Sequence, residues 1–435
     1  MTNKKLNILP IVVMYLLFFM IAFVTNLCNP MAVIVKNNFA MSNFAAQLGN
    51  AANFIAYAAM GIPAGLLLKK IGYRKTALLA ILIGFIGVFL QYMSGWAAIQ
   101  SFWVYLIGAF TAGFCMCMLN TVVNPMLNTL GGGGNKGNQL VQFGGVCNSL
   151  AAVLVTIIMG SLIADATKAQ IADATPALMI ALGVFAFAFI VLLLVKIPEP
   201  ELEIVKTDNQ AVNGKKYSAF SFRHFNLGIL AIFLYMGVEV GVPTYVMQYL
   251  TTAPTEATPG LGINANIVGM IVAVYWLLML VGRLLGGMLA SKVSSRTQIA
   301  TVSAICLVLV LLGMFLPSDV MVNMPGVDWA TLTFMTAPVP VGIFALILVG
   351  LCTSVMWGGI FNMAVEGLGK YTSIASGAFM TMVCGGGILI PLQGELADVF
   401  GNFQMSYIVV LACTAYILFY ALVGSKNVNK DIPTE

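Results

Sequence analysis

Two ionisable side chains, Glu239 and Arg283, lie inside long apolar stretches of the sequence. A charge in hydrocarbon is costly, so acids and bases in such stretches mark ion or substrate pathways by default. Glu239 is flanked by two glycines and followed by Pro243, which together permit a broken helix and the close approach of another segment. A broken helix frees carbonyl oxygens that coordinate cations. Glu239 is therefore a candidate cation ligand, and the alternative is a structural role in which Arg283 or a backbone group satisfies its carboxylate.

The surrounding elements are apolar helices long enough to cross a membrane. Of the 435 residues, 60% are hydrophobic and 8% are charged, against roughly 25% charged in soluble domains. This composition excludes an ordinary soluble enzyme. Runs of about 20 apolar residues span the hydrocarbon core. Twelve runs fit, at about 8–29, 44–68, 76–94, 101–126, 140–164, 176–196, 225–250, 263–290, 298–316, 337–362, 372–396 and 405–424.

The basic residues predict the orientation of these spans. With both termini in the cytoplasm, 17 of the 20 Lys and Arg lie in cytoplasmic segments, and Lys36 and Lys168 lie outside. Arg283 is the remaining one, so the positive-inside rule is satisfied. Basic loops after the second and eighth spans (65–75 and 287–296) indicate two repeats. We predict a six-helix bundle at 1–196, a cytoplasmic linker at 197–223 and a second bundle at 224–435.

Other chemistries have little support in the sequence. The eight cysteines each fall in an apolar stretch, and we interpret them as buried apolar residues. No metal motif, nucleotide motif or nucleophile–base pair is seen. The basic residues are spread over short loops, which argues against nucleic-acid binding. An intramembrane enzyme would need paired acids or a nucleophile, and a nutrient sensor would carry a long signalling tail, so we expect neither.

Several motifs resemble the fucose/glucose/galactose permease branch of the major facilitator superfamily. The resemblance is strongest between Trp357 and Gly401, and it includes Glu366-Gly-Leu-Gly-Lys-Tyr-Thr372 and Gly385-Gly-Gly-Ile388. Shorter matches are Asn26-Leu27, Pro63-Ala-Gly65 and Asn124-Pro125. The resemblance implies an all-α fold of 12 transmembrane helices in two pseudo-symmetric six-helix bundles. It also implies a monomeric carrier that imports a hexose or related monosaccharide across the cell inner membrane by cation symport and alternating access.

Two positions depart from the pattern of that branch, and a third departs from the wider superfamily in a way that the sugar-permease branch tolerates. Proton-coupled fucose permeases carry acids at the positions that match Asn29 and Asn120, and the wider superfamily carries an acid where this chain has Lys69. An amide cannot take up and release a proton, so we do not expect proton coupling through Asn29 and Asn120. Glu239 with amide and carbonyl oxygens suits Na⁺ at least as well as H⁺. An uncoupled sugar uniporter and a drug or metabolite antiporter stay open, and no cofactor is expected beyond Na⁺ or H⁺.

A sugar pocket needs amides for its hydroxyls and aromatic rings for its apolar face. Interhelical packing is the alternative role for any single amide. The predicted substrate-binding residues are Asn26, Asn29, Asn50, Asn120, Asn124, Gln142, Asn148, Tyr245, Trp276, Trp357, Asn362 and Gln393. The predicted gating or structural residues are Lys69, Lys70, Arg74, Arg283 and Glu366.

Overall fold

The structure is a computed structural model that describes residues 8–39, 48–162, 170–199, 217–263, 265–328, 331, 333–429 and 431–434. Among these residues, helices form the twelve predicted spans. The first six lie in helices Ile8–Asn38, Leu48–Met93 (the second and third spans), Phe102–Leu130, Gly134–Leu162 and Thr175–Leu194. The seventh, eighth and ninth are Arg223–Thr251, Ala265–Ala290 and Ser295–Phe315. The tenth is Val341–Thr353 plus Met356–Val365, the eleventh Thr372–Thr381 plus Gly385–Phe400, and the twelfth Phe403–Ser406 plus Ile408–Phe419.

The second and third spans form one helix that bends sharply at Gly72. Gly72 has φ 84° and ψ 176°, a conformation that is essentially restricted to glycine. The Glu199 carboxylate, which follows the sixth span, accepts the backbone N–H groups of Tyr73 and Arg74 at 2.6 and 2.9 Å. Because these N–H groups open the third span, a carboxylate stabilises them by both hydrogen bonding and charge.

The outside of the bundle is apolar. Trp103 is 69% exposed and Leu194 is 78% exposed, and many other large apolar side chains point outward from the spans. Ten stretches of the described chain are long and apolar enough to cross a membrane. An apolar outer surface of this extent fits contact with lipid rather than water.

A β-hairpin between the ninth and tenth spans was not predicted from the sequence. Strand β1 (Met321–Asp328) pairs antiparallel with β2 (Thr333–Pro340), with Met321 opposite Pro340. The tenth span therefore begins at Val341, and the prediction that it begins at 337 was wrong. The short apolar run that contains Pro338 and Pro340 resembled helix by hydropathy, but proline fits poorly within a helix and is tolerated at a strand edge.

The two halves repeat one contact at the same end of the molecule. Arg74, in the first turn of the third span, donates from Nε to the carbonyl oxygen of Leu192 near the end of the sixth span. Arg296, after the eighth span, donates from Nε to Ser425 Oγ just after the twelfth span. We call this end, with the loops around 69–75, 131–137, 291–296 and 366–371, the basic end. Lys69 and Lys70 are exposed there.

The two halves pack tightly against each other near the basic end. A Cβ atom at Gly61 or Gly65 of the second span would collide with the eleventh-span backbone at Gly377. A Cβ at Gly287 of the eighth span would lie 2.9 Å from the ring of Phe143 in the fifth. Gln142 of the fifth span donates to the carbonyl of Val355, at the break in the tenth span, at 2.9 Å. The two halves therefore contact each other directly at the basic end, and we call the structure closed there.

Candidate functional site

Glu239 and Arg283 form an ion pair in the interior. Arg283 Nη2 lies 3.3 Å from Glu239 Oε1, and the two side chains are 10% and 13% exposed. Glu239 is carried slightly past the midpoint of the seventh span, and Arg283 lies seven residues before the end of the eighth. The pairing leaves neither charge uncompensated, which is what a low-dielectric interior requires.

Arg283 also binds the other half of the protein. Its Nη1 donates to the Gly145 carbonyl at 3.0 Å, to Asn148 Oδ1 at 3.2 Å and to Ser149 Oγ at 2.8 Å. All three acceptors belong to the fifth span, whereas Glu239 belongs to the second half. One guanidinium thus joins the halves, and its planar arrangement of donors suits several acceptors at once.

The seventh span continues as one helix through Glu239 and Pro243. The broken helix that the sequence permits is therefore not observed. The glycines around Glu239 instead allow the eleventh span to approach. A Cβ at Gly237 would meet the Leu389 side chain at 2.7 Å, and one at Gly241 would meet Gln393 Oε1 at 2.7 Å.

A small cavity lies beside the ion pair, between the two halves. It is lined by Asn26, Asn148, Ser149, Ala152, Glu239, Trp276, Met279 and Arg283, and its volume is about 40 Å³. A cavity volume of roughly 10–15 Å³ suffices for one water molecule, so this cavity has room for water. The cavity brings together three predicted binding residues, two amides and one indole.

A second polar cluster joins the fourth span to the second and tenth. Asn120 Nδ2 donates to the Tyr57 hydroxyl at 2.9 Å and to the Met116 carbonyl at 3.1 Å. Asn124 Nδ2 donates to the Asn120 carbonyl at 2.9 Å, and its Oδ1 accepts from Trp357 Nε1 at 3.3 Å. Asn124 is fully buried. This cluster therefore also crosses between the halves.

Three residues connect these two clusters: Tyr235 and Ser149, which carry no prediction, and Tyr275, which the sequence offers as a candidate ring for stacking. The ring of Tyr235 lies 6.1 Å from that of Trp357, and its hydroxyl donates to the Thr353 carbonyl. The Tyr275 hydroxyl donates to the Glu239 carbonyl and lies 3.1 Å from Thr353 Oγ1. The third residue, Ser149, accepts a hydrogen bond from Arg283 Nη1. Hydroxyls in apolar runs carry no sequence signal, although Ser149 adjoins the predicted Asn148.

Several predicted site residues lie away from the cavity. The Tyr245 hydroxyl donates to the Ile390 carbonyl at 2.7 Å, within the second half. Asn362 donates to Ser295 Oγ at 2.8 Å near the basic end. Gln393 Nε2 lies 3.5 Å from Ser406 Oγ in the twelfth span. In this conformation these three side chains pack helices together, and their binding roles stay predictions.

The remaining predicted residues are two amides and four gating candidates. The side chains of Asn29 and Asn50 are outside the described part of the chain. Glu366 ends the tenth span, and its carbonyl oxygen accepts from His224 Nε2 at 3.0 Å. Gating by Glu366, Lys69, Lys70 and Arg74 stays a prediction.

The family is shown by comparison with known proteins. Residues 14–391 match the model of the Major Facilitator Superfamily. A putative glucose/galactose transporter of Helicobacter pylori (strain J99) is 30% identical over 438 residues, with 98% of this chain and 99% of the relative covered. The chain belongs to the Major Facilitator Superfamily, and it is a multi-pass membrane transporter rather than an enzyme.

Two further proteins are similar to this chain over nearly its whole length. A glucose/galactose transporter of Brucella abortus (strain 2308) is 28% identical over 418 residues, with 95% of this chain and 93% of the relative covered. The crystal structure of the superfamily transporter FucP in the outward conformation matches with a TM-score of 0.77 at 22% identity. That match covers 96% of this chain and 99% of FucP, and it confirms the predicted fold class.

Proposed function

We propose that this protein imports a monosaccharide, a hexose or related sugar, by rocking its two six-helix halves around the central cavity. The observation that carries this proposal is the cavity itself, where Asn26, Asn148 and Trp276 from both halves meet. Amides offer paired donors and acceptors to sugar hydroxyls, and an indole offers a stacking face. The names of the H. pylori and B. abortus relatives support glucose and galactose as the first sugars to test.

We propose Glu239 as the coupling residue of a cation symporter. Its carboxylate borders the cavity, so a cation bound there would lie beside the sugar. Na⁺ would use the carboxylate oxygens directly, and H⁺ would neutralise them. A 24% identical Escherichia coli relative is described as an L-fucose-proton symporter, which supports H⁺ as one candidate coupling ion. The amides Asn29 and Asn120 favour Na⁺ in this one.

Uncoupled transport is the second candidate, and the ion pair favours it. The Arg283 guanidinium already occupies the position beside Glu239 that a coupling cation would take. A carboxylate neutralised from within needs no ion from solution. In this candidate the sugar equilibrates and its gradient alone drives flux.

We further propose a monomer in the bacterial inner membrane with both termini and the basic end in the cytoplasm. The distribution of Lys and Arg supports this orientation, and the cavity lies within a single chain. A cysteine introduced at Lys292 should add labelling by an impermeant thiol reagent, above that of the eight native cysteines, in inside-out vesicles but not in right-side-out vesicles. The reverse labelling would invert the topology.

Transport in proteoliposomes tests the function. Uptake of labelled glucose and galactose is measured under an inward Na⁺ gradient, an inward H⁺ gradient or neither, for the wild type and Glu239→Gln. Glu256→Gln is the matched control, because Glu256 is exposed at the opposite end of the molecule. Accumulation above equilibrium that is lost in a Glu239→Gln protein that still equilibrates the sugar supports symport, and the effective gradient identifies the ion. Equilibration that no gradient changes supports uniport, and no flux of any monosaccharide would contradict the proposal.

A further inference from the structure

Arg283 is a charged side chain that joins the two halves near the closed end. Its side chain lies against Gly145, where a Cβ would come within 3.1 Å of Arg283 Cδ. Its Nη1 serves three oxygen acceptors of the fifth span. A glycine at position 145 therefore gives the guanidinium access to the fifth-span backbone, which a side chain at that position would obstruct.

Opening of the basic end has different consequences for the two sides of this guanidinium. Glu239 and Arg283 lie on the seventh and eighth spans of the same half, so a rigid movement of that half carries the ion pair along. Gly145, Asn148 and Ser149 belong to the other half and must separate from Arg283. The cross-half hydrogen bonds exist in the closed arrangement and are lost in the open one, which is the differential interaction that biases a two-state equilibrium.

Asn148 connects these hydrogen bonds to the cavity. Its Oδ1 accepts from Arg283 at 3.2 Å, and the residue lines the cavity with Asn26 and Trp276. A sugar hydroxyl that donates to Oδ1 would compete with Nη1 for the same acceptor. Since linkage is reciprocal, a ligand that weakens the closed arrangement binds the open one better.

We propose that Arg283 is a substrate-sensitive lock: its Nη1 hydrogen bonds to the fifth span hold the basic end closed, and a sugar that engages Asn148 loosens them. The sugar dependence rests on the proposed function, whereas the lock itself does not. Arg283 acts as a positioning residue, because it holds the fifth span rather than the sugar. Glu239 keeps the guanidinium oriented and its charge compensated while the fifth span leaves.

Crosslinking across the closed end measures the lock without transport. Phe143→Cys and Gly287→Cys are combined, since a Cβ at Gly287 points at the Phe143 ring in the closed structure. A protease site is inserted in the sequence between the sixth and seventh spans. After treatment with a short bifunctional thiol reagent and proteolysis, the halves migrate together only when they are crosslinked. Each single-cysteine variant reports the background from the eight native cysteines.

Arg283→Lys and Ser149→Ala are then introduced into this reporter. Lysine keeps the charge but loses the planar donors, and Ser149→Ala removes one acceptor while leaving Arg283 and Glu239 in place. Arg296→Lys is the matched control, because Arg296 binds Ser425 within its own half. We expect the initial crosslinking rate to fall at least fivefold in Arg283→Lys and about twofold in Ser149→Ala, with less change in Arg296→Lys.

The outcomes separate the lock from the function. Unchanged crosslinking in a folded Arg283→Lys protein would overturn the lock, and Ser149→Ala decides the question if Arg283→Lys does not fold. Glucose or galactose should slow crosslinking in the wild-type reporter at least twofold and have no effect in Asn148→Ala. A sugar that is transported by the wild type but leaves crosslinking unchanged would overturn the sugar dependence alone. Absence of transport with a fall in Arg283→Lys crosslinking would contradict the proposed function and leave the lock standing.

Discussion

The Glu239 carboxylate and the Arg283 guanidinium lie 3.3 Å apart on neighbouring spans of the second half, and both are largely withdrawn from solvent. This ion pair borders the cavity between the halves, so the two embedded charges that stand out in the sequence meet at the same place. Any ion or proton that reaches Glu239 must therefore compete with Arg283.

Removing one partner of this pair should destabilise the protein more than removing both. Glu239→Gln leaves an uncompensated guanidinium, and loss of one partner of a buried pair costs about 3–5 kcal/mol. The double variant Glu239→Gln/Arg283→Gln carries no buried charge and should recover part of that loss. Apparent Tm values in detergent for the wild type, both single variants and the double variant measure the coupling. Additive shifts would show that the pair does not contribute as a unit.

Asn120→Asp should make transport depend on pH. Asn120 Nδ2 donates to the Met116 carbonyl at 3.1 Å, which an ionised carboxylate would repel and a protonated carboxyl could satisfy. Transport by the variant should therefore be low at pH 8 and rise about tenfold toward pH 5. Asn120→Ala is the control, since it loses the same hydrogen bonds but cannot titrate. Equal pH profiles of the two variants would contradict this account.

Trp357→Phe should weaken sugar binding without abolishing it. The variant keeps an aromatic ring beside Tyr235 and Phe379 but removes the N–H that Asn124 accepts. Without this donor the predicted sugar ligand Asn124 is no longer held in place, and a loss of about 1–3 kcal/mol in binding free energy raises the half-saturating sugar concentration roughly fivefold or more. Trp357→Leu also loses the ring and should be weaker still in the same counterflow assay. Equal affinity in Trp357→Phe and the wild type would show that this hydrogen bond does not support the site.

Gly72→Ala should destabilise the first half. Gly72 has φ 84° and ψ 176° at the bend between the second and third spans, and a side chain in such a region costs about 1–3 kcal/mol. Gly183→Ala is the matched control. Gly183 lies in the sixth-span helix with open space around it, and alanine there should stabilise the helix by up to about 1 kcal/mol. Thermal unfolding of the two variants should shift in opposite directions, and a neutral Gly72→Ala would contradict the assigned strain.

Much of the fold could be predicted because hydropathy and charge are local properties of a membrane chain. A span needs about 20 apolar residues wherever its neighbours lie, so the runs around Glu239 and Arg283 were recognisable one at a time. The equivalence of the loops at Arg74 and Arg296 was also visible in the sequence, and the structure shows matching contacts there. The β-hairpin at 321–340 escaped notice because strand pairing depends on a partner strand rather than on one run.

The sequence predicted the residue types that form the site, but not which individual residues belong to it. Asn148 and Asn362 are both amides in apolar runs, yet Asn148 lines the cavity and Asn362 binds Ser295 between neighbouring helices. An amide in a membrane must find a partner, and packing satisfies it as well as a ligand does. Which of the two applies depends on helix rotation, which hydropathy does not determine.

By itself, the sequence determined that the chain spans a membrane twelve times, which ends of the spans are basic, and that Glu239 and Arg283 are embedded charges. The tertiary structure decided that these charges pair, that the seventh span stays helical through Pro243, and that Arg283 reaches Gly145, Asn148 and Ser149. The contacts between Arg283 and the fifth span join residues more than a hundred positions apart in sequence. Local propensity carries no information about them, because they depend on the packing of one six-helix half against the other.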